Sequence, residues 1–496
     1  MASDIRHLCN LVNGEWIESE SSGRLEVDNP ATGQLIASVP LSTSTEITAA
    51  VESAEAAFPA WRDTPAVERG RRLLRLHALM LDNFEALSRT VVVENGKTLE
   101  EARGEVLRAL ENVELAAGIP TLQMGSFSSD ISASIDEHSI REPLGVFAQI
   151  GPFNFPAMVP FWFVPLAIAC GNTFVMKPSQ RTPLSLTLMM ELASEAGFPP
   201  GVLNMVHGDA DQAQLLCQHP GIAGVSFVGS TPVARAVYET ATQHGKRAQC
   251  QGGAKNHLVV MPDAELDAAI LNICGSTFGC AGQRCLAGSV VVTVGGIRAD
   301  FTERFVEAAA SMNLGNGLDS STDMGPVISA ESRDRAIEYI DRAGDDGGKI
   351  LLDGRHAEVA PLPGGYWVGP TVIDHVRPDM PIAQDEVFGP VISLMHADTM
   401  QDAIEMLEAN PFGNAASLYT NSGGAAREFT RSVNIGNVGI NVGVAAPMAF
   451  YPFGGRKESF FGDIHAQSNE LVRFYTDPKI VITRWPGKSD GRDPWD

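Results

Sequence analysis

The sequence predicts an α/β fold in which helices cover largely parallel sheets. Short apolar runs alternate with helical patterns along most of the 496 residues, and each run between 144 and 250 ends at a turn that leads into a helix. No internal repeat or low-complexity stretch interrupts this alternation. A chain of this length exceeds what one hydrophobic core supports, so two or three domains are expected.

Helical patterns dominate the first part of the chain. Thr43 and Glu46 have the spacing of a capping box, and they predict a helix that continues through alanine-rich turns to Trp61. Residues 64–118 predict further long helices. The polar faces of these helices include Glu100, Glu101, Arg103 and Glu105.

Short apolar runs predict the strands. Three lie in a first series of βα units, at 144–150, 172–177 and 224–228, and three in a second α/β region of about 258–440, at 258–261, 289–294 and 391–394. The segments 126–140 and 471–483 are also β-rich. Because these two segments lie far from the other strands in sequence, we expect them to pair across subunits.

Charge and cysteine content exclude several classes of protein. The formal net charge of −24 would repel phosphate backbones, so neither nucleic acid nor an anionic membrane is an expected partner. No apolar window is long enough to span a membrane. The seven cysteines form no CxxC pair, which argues against a disulfide framework and a bound metal. A reduced, cytoplasmic protein without a secretory signal is expected, with an organelle matrix as the alternative location.

Two predicted strands end in residues suited to a nucleotide. Gly229 and Ser230 form a turn before Pro232, and a helix that begins in this way presents free N–H groups to a pyrophosphate. Taken alone, this turn is more typical of an ordinary strand-to-helix connection, since the G-x-G-x-x-G fingerprint is missing. Lys177 ends another strand, at the sheet edge where doubly wound folds bind cofactors, although a solvated lysine is equally common there.

Cys285 is the candidate nucleophile. It ends the segment 278–285, whose small residues allow the backbone to approach a ligand. A cysteine beside an arginine, here Arg284, can have a lowered pKa, and a thiolate is the nucleophile needed to attack an aldehyde carbon. Taken without its surroundings, a cysteine is more typically a buried structural residue.

Seven motifs then resemble the aldehyde dehydrogenase superfamily, in family order and over nearly the whole chain. They are Glu94-Asn95-Gly96-Lys97-Thr98, Pro152-Phe153-Asn154-Phe155-Pro156, Lys177-Pro178-Ser179, Phe227-Val228-Gly229-Ser230-Thr231, Gly253-Ala254-Lys255, Gly282-Gln283-Arg284-Cys285 and Glu386-Val387-Phe388-Gly389-Pro390. The resemblance implies a Rossmann-type NAD-binding domain (1–124 and 142–252), an α/β catalytic domain (253–455) and a small β oligomerisation element (125–141 and 456–496).

The resemblance also implies the roles of site residues. Cys285 would be the nucleophile, and the Asn154 amide with the Cys285 backbone N–H would form the oxyanion hole. The residues expected to bind the cofactor are Phe153, Lys177 (adenosine ribose), Gly229, Ser230 (pyrophosphate), Glu386 (nicotinamide ribose) and Phe388 (nicotinamide). NAD is expected, but Gln180 stands where the family commonly has a glutamate that repels a 2′-phosphate, so NADP stays an alternative.

Gln251 indicates the fate of the acyl-enzyme. The hydrolytic members of the superfamily have a water-activating glutamate 34 residues before the nucleophile, and this chain has Gln251 there. A glutamine cannot accept a proton at neutral pH, so the thioester on Cys285 would persist until a thiol attacks it. Coenzyme A is the expected acceptor.

The run from Gly253 to His257 most resembles the CoA-acylating methylmalonate-semialdehyde dehydrogenase branch. Two arginines of that branch, which match Arg108 and Arg284, are thought to meet the carboxylate of the substrate, a pairing that suits guanidinium. The predicted reaction converts methylmalonate or malonate semialdehyde to propionyl-CoA or acetyl-CoA with loss of CO₂, in a homodimer or homotetramer. Without the resemblance, Arg108 is more typical of a surface arginine paired with an acidic neighbour on its helix.

Three alternatives remain. A hydrolytic aldehyde dehydrogenase would produce a free carboxylic acid. A cysteine acyltransferase or hydrolase without a redox step would need a histidine base near Cys285, and His257 is the only histidine within 30 residues of it. A catalytically silent protein predicts the loss of Cys285 or Asn154, and both are present. The Leu286-Ala287-Gly288 run departs from the branch and leaves the shape of the acyl pocket open.

Overall fold

The computed structural model describes residues 5–485, which form two large helix-covered sheets and three small ones. The helices are α1 (Ser44–Arg62), α2 (Ala66–Asp82), α3 (Phe84–Asn95), α4 (Leu99–Ala117), α5 (Ile119–Leu122), α6 (Met158–Ala169), α7 (Leu184–Glu195), α8 (Ala210–Gln218), α9 (Thr231–Gln243), α10 (Leu266–Phe278), α11 (Arg298–Ala310), α12 (Ala330–Asp345), α13 (Pro381–Gln384), α14 (Met400–Ala409), α15 (Gly423–Ser432) and α16 (Glu470–Tyr475).

The strands are β1 (Arg6–His7), β2 (Asn10–Val12), β3 (Glu15–Ile17), β4 (Arg24–Asn29), β5 (Gln34–Pro40), β6 (Phe127–Ser132), β7 (Ile135–Pro143), β8 (Val146–Ile150), β9 (Thr173–Lys177), β10 (Leu203–Met205), β11 (Ile222–Val228), β12 (Arg247–Gln251), β13 (Asn256–Val260), β14 (Gly288–Val294), β15 (Lys349–Leu352), β16 (Thr371–Asp374), β17 (Val391–Ala397), β18 (Phe412–Gly413), β19 (Ala415–Tyr419), β20 (Asn437–Ile440), β21 (Arg456–Lys457), β22 (Phe460–Gly462) and β23 (Thr476–Arg484).

The first large sheet has the order β22-β12-β11-β8-β9-β10-β2-β3, and its five central strands are parallel. The chain runs from β8 outwards through β9 to β10, and then returns to the other side of β8 to form β11 and β12. The strand order therefore reverses between β8 and β11. In open α/β sheets, ligands bind in the crevice at the carboxyl ends of such strands, where the segments after β8, β9 and β11 begin.

The second large sheet has the order β15-β16-β17-β14-β13-β19-β20, in which β15 alone runs antiparallel to its neighbour. Its central strands are buried along almost their whole length, as expected where helices cover both faces of a parallel sheet. One hydrophobic core lies between the first sheet and helices α2, α4 and α6, and a second surrounds the second sheet.

The α/β prediction is confirmed. The Thr43–Glu46 capping box is present at the start of α1, where the Glu46 N–H donates to Thr43 Oγ1 over 3.2 Å. Residues 64–118 form three helices, and all six predicted strands are present with ends shifted by at most three residues. No helix within residues 5–485 is long and apolar enough to cross a membrane.

The C-terminal β segment differs from the prediction. Residues 471–475 belong to α16, which packs against α6, and the strand begins only at Thr476. That strand, β23, pairs with β7 of the same chain and lies at the edge of the three-stranded sheet β23-β7-β6. The strand β22, which lies in the same predicted element 456–496, pairs with β12 of the first large sheet. A strand cannot be assigned to a sheet from β propensity alone, since tertiary contacts select its partner.

Candidate active site

The nucleophile follows a strained turn. Helix α10 ends at Phe278 and leads into a tight turn at Gly279–Gly282, in which φ is +49° at Cys280 and +51° at Ala281. Each non-glycine residue in this region typically costs about 1–3 kcal/mol, so the surroundings must hold the turn in place. The carbonyl of Cys285 accepts hydrogen bonds from Asn256 Nδ2 (2.9 Å) and Asn414 Nδ2 (2.7 Å), which fixes the backbone at the nucleophile itself.

Asn154 lies beside this turn, as the resemblance implies. Its loop follows β8 at the switch point of the first sheet, and its Nδ2 donates to the Gln283 carbonyl over 3.0 Å. That bond joins the first large sheet to the nucleophile turn of the second. An amide nitrogen carries two N–H groups, so one remains for a further acceptor.

A buried ion pair that the sequence analysis missed supports the Asn154 loop. Lys97 Nζ donates to Glu105 Oε2 (2.6 Å) and to the Asn154 carbonyl (2.7 Å), and both charged side chains are fully buried. Glu105 Oε1 accepts the Ala157 N–H over 2.8 Å. Glu105 was predicted on a polar helix face, whereas it lies in the core. The sequence signal for this ion pair was the family-like motif that contains Lys97. The motif does not indicate that Glu105 is the partner of Lys97.

The pKa of the nucleophile differs from the prediction. Burial, and then the nearby Glu386 carboxylate, raise the pKa of the Cys285 thiol to about 12. The neighbouring Arg284 lowers this pKa, as expected, but its effect is smaller than that of burial. Its guanidinium also pairs with Glu101 through Nη2 at 2.7 Å and donates to Cys280 Sγ through Nε at 3.2 Å. Adjacency in sequence therefore overstated the influence of the arginine, and the Cys285 thiol is protonated at neutral pH.

Cys285 opens onto a cavity of about 280 Å³. Arg108 and Arg284, the two arginines predicted to meet a carboxylate, both line it, together with mostly apolar side chains. Arg108 Nη1 also pairs with Glu111 at 2.8 Å, which is the surface-helix pairing that the sequence left open. The arrangement brings two arginines, together with the acidic residues Glu101 and Glu105, to a thiol in a largely apolar chamber. No histidine lines the cavity.

Lys177 and Ser230 occupy the carboxyl edge of the first sheet. Lys177 ends β9 and is buried, and burial lowers the pKa of its ammonium to about 8. Its Nζ has one long hydrogen bond, 3.3 Å to the Pro178 carbonyl, so most of its donor capacity is unused. Ser230 is the exposed N-cap of α9 and its side chain makes no capping bond, while Gly229 donates its N–H to the Gln251 carbonyl over 3.1 Å.

The remaining residues predicted to bind the cofactor are Glu386, Phe388 and Phe153. The two phenylalanine rings meet edge to face with centroids 5.7 Å apart. Burial raises the pKa of Glu386 to about 7, and its Oε1 accepts the Ala254 N–H over 2.9 Å. A Cβ at Gly253 would lie 2.5 Å from Glu386 Oε2, so a larger residue at this position would displace the carboxylate. An under-bonded lysine, an uncapped helix start and a buried carboxylate together fit a dinucleotide.

Gln251 ends β12 and is buried. Its Nε2 donates to the Phe453 carbonyl over 3.4 Å, whereas its Oε1 has no hydrogen-bond partner among residues 5–485. The side chain at the position of the hydrolytic base is therefore an uncharged amide held by one weak bond.

No group of three or more potential metal ligands occurs within residues 5–485.

The doubly wound sheet, with a cysteine and an amide donor beside its switch point, has the arrangement of an α/β enzyme that binds its ligands at the carboxyl ends of the strands. The chain belongs to the aldehyde dehydrogenase family, whose profile matches residues 16–481.

Three individual relatives are similar to this chain over nearly its whole length. Malonate-semialdehyde dehydrogenase 2 of Geobacillus kaustophilus is 47% identical over 485 residues, which cover 98% of this chain and 100% of the relative. A structure from Sinorhizobium meliloti, assigned as a methylmalonate-semialdehyde dehydrogenase complexed with NAD, has a TM-score of 0.96 and 41% identity and covers 98% of this chain and 100% of its own. Methylmalonate-semialdehyde dehydrogenase from Oceanimonas doudoroffii has a TM-score of 0.96 and 42% identity, with 97% and 99% coverage.

Proposed function

We propose that this chain oxidises malonate semialdehyde or methylmalonate semialdehyde with NAD and transfers the product to coenzyme A as acetyl-CoA or propionyl-CoA, with release of CO₂. The presence of Gln251 in place of a general base is the observation that carries the acyl transfer. The names of the relatives support the substrate class, and the two arginines at the Cys285 cavity support a substrate with a carboxylate.

The cofactor would lie along the carboxyl edge of the first sheet. Lys177 would bind the adenosine ribose, Gly229 and Ser230 the pyrophosphate, and Glu386 the nicotinamide ribose, with Phe153 and Phe388 beside the nicotinamide. NAD, when bound, supplies the hydride acceptor. Two observations support this assignment. Within residues 5–485, Lys177 Nζ has one long hydrogen bond and therefore has unused donors, and the start of α9 has no side-chain cap.

The chemistry of the chain begins at Cys285. Its thiol must lose a proton before Sγ bonds to the aldehyde carbon, and the carbonyl electrons then move to oxygen. The second N–H of Asn154 and the Cys285 backbone N–H would donate to that oxyanion, and each such donor typically contributes about 3–4 kcal/mol. Loss of hydride from the same carbon leaves a thioester on Cys285.

Arg108 and Arg284 would hold the carboxylate of the substrate. Since the carboxylate is β to the thioester carbonyl, it can leave as CO₂ while the bonding electrons pass to that carbonyl and a proton replaces it. The thiol of coenzyme A then attacks the thioester and releases Cys285. Gln251 cannot deprotonate water, and losing a general base typically slows hydrolysis by about 10²–10⁴-fold, so the acyl-enzyme persists for the thiol.

Hydrolysis to a free acid is a second candidate, supported by Glu386. The carboxylate of Glu386 is close enough to Cys285 to raise the pKa of the thiol, and its own pKa of about 7 suits a general base. Its hydrogen bond with the Ala254 N–H and its expected contact with the cofactor favour the other role.

One assay separates the two reactions. NADH and products are measured with malonate semialdehyde and with propanal, each with and without coenzyme A, for the wild type and for Cys285→Ala and Gln251→Glu. The proposal expects turnover of the wild type to depend on coenzyme A, none for Cys285→Ala, and at least about tenfold faster thiol-independent formation of acid by Gln251→Glu. Equal rates of free-acid formation by the wild type with and without coenzyme A would establish hydrolysis instead.

We also propose that the chain forms a homodimer or homotetramer through the β6-β7-β23 sheet, and that it acts in the cytoplasm. The sheet carries exposed apolar side chains, among them Ile480 and Ile482, which a second copy would cover. All seven cysteines are free, which suits a reducing compartment.

A further inference from the structure

The turn before the nucleophile needs support from outside itself. Three consecutive residues, Cys280, Ala281 and Gly282, have left-handed backbone, and only the last is a glycine. A Cβ at Gly282 would lie 2.1 Å from the Gly389 carbonyl oxygen, so that position has no alternative residue. Such a conformation persists only where neighbouring groups hold it.

Glu101, in the first turn of α4, is one of those groups. Its Oε1 accepts the Cys280 N–H and Arg284 Nη2, both over 2.7 Å. Its Oε2 accepts the Thr98 N–H over 2.9 Å, which completes the capping box of α4. One carboxylate therefore joins a helix of the first core to the backbone and side chain of the nucleophile turn.

The same contacts determine which donors of Arg284 remain. A guanidinium has five N–H groups, of which three are engaged: Nη2 with Glu101, Nε with Cys280 Sγ and Nη1 with the Gly275 carbonyl at 3.3 Å. One N–H is left on each terminal nitrogen, and a guanidinium can bind a carboxylate through one N–H of each terminal nitrogen. The Glu101–Arg284 pair is only about one-sixth exposed, so water competes weakly for it.

We infer that Glu101 is a positioning residue that selects carboxylate-bearing aldehydes by fixing the Arg284 fork at the cavity while it holds the turn that carries Cys285. This role rests on the proposed function, since it assumes a substrate carboxylate at Arg284. A residue that served only as a helix cap would affect every aldehyde equally. If Glu101 merely masked the charge of Arg284, removing Glu101 would improve binding of the substrate carboxylate.

The variant Glu101→Asp separates these roles. Aspartate completes a capping box in this chain already, as Asp402 does with Thr399 at the start of α14, so the shortened side chain can keep the cap of α4. One methylene less withdraws it from Cys280 and Arg284. Glu46→Asp makes the same change in the capping box of α1 and serves as the matched control.

The measurement is kcat and KM for malonate semialdehyde and for propanal, which has the same carbon chain without the carboxylate. For Glu101→Asp we expect the ratio of kcat/KM for the semialdehyde to that for propanal to fall at least about fivefold, mainly through KM, while Glu46→Asp leaves it unchanged. This ratio does not depend on how much of the variant is folded. A ratio that stays constant or rises would overturn the role of Glu101. If the wild type itself showed no preference for the semialdehyde, the proposed function would fail first.

Discussion

At the scale of a single residue, two opposing requirements act on the ionisation of the Cys285 thiol. A nucleophile must ionise, whereas burial and the carboxylate of Glu386 keep the thiol protonated. The pKa of about 7 for Glu386 means that this carboxylate is itself half-protonated near neutrality. The charge that suppresses the thiolate is therefore lost below neutral pH, and the two groups titrate as a pair.

The rate of alkylation of Cys285 by iodoacetamide should report this coupling. Because only the thiolate reacts, removing the negative charge in Glu386→Gln lowers the pKa of Cys285 and raises the rate at a fixed pH. We expect the variant to react faster than the wild type at about pH 8.5, and equally at about pH 5.5, where Glu386 is already protonated.

Mass spectrometry of the Cys285 peptide gives this rate, and Cys9 is a reference in the same sample. It is the other partly buried cysteine, and the groups that shift the pKa of its thiol do not include Glu386. Alkylation of the variant that was slower than that of the wild type at about pH 8.5 would contradict the assigned coupling.

Helix α4 organises the catalytic centre at the scale of elements. Its first two turns carry Glu101, which holds the nucleophile turn, and Glu105, which with Lys97 holds the Asn154 loop. Both the nucleophile turn and the Asn154 loop are therefore held in place by side chains of α4. Since the Lys97–Glu105 pair is fully buried, neither charge has water to replace a lost partner.

Lys97→Met should therefore destabilise the chain by about 3–5 kcal/mol, because Glu105 would remain as an unpaired buried charge. Replacing both partners in Lys97→Met/Glu105→Gln should recover part of that loss. Urea-induced unfolding measures the free energies. Arg103→Met is the matched control, since it breaks the exposed pair with Glu85 and should cost at most about 1 kcal/mol. Equal losses for the buried and exposed pairs would disprove this account of α4.

The small β6-β7-β23 sheet is the conspicuous feature at the scale of the whole molecule. Ile480 and Ile482 lie on one face of β23 and are 58% and 65% exposed, and Phe127 on β6 is 66% exposed. Large apolar side chains on a sheet that packs on neither core indicate a surface that another copy covers.

Ile480→Lys combined with Ile482→Lys should yield a smaller particle than the wild type, because two buried charges would oppose the interface. Light scattering after size-exclusion chromatography measures the mass. Leu74→Lys, which places the same charge at an exposed apolar position on α2, should leave the mass unchanged. A wild type that is already monomeric would refute the interface.

Local chemistry explains why much of this molecule was predictable. The capping box of α1, the buried strands and the strand-end positions of Lys177 and Ser230 depend on neighbours in sequence, and the structure has them where the patterns predicted them. The nucleophile turn was likewise visible as a run of small residues before Cys285.

Tertiary structure alone decided the partners and the charges. Glu105 pairs with Lys97 inside the core, burial of Cys285 outweighs the lowering effect of Arg284 on its pKa, and residues 471–475 are helical. Burial and the distances between atoms remote in sequence set these outcomes. Desolvation and Coulomb energies depend on those two quantities, and a linear sequence contains neither.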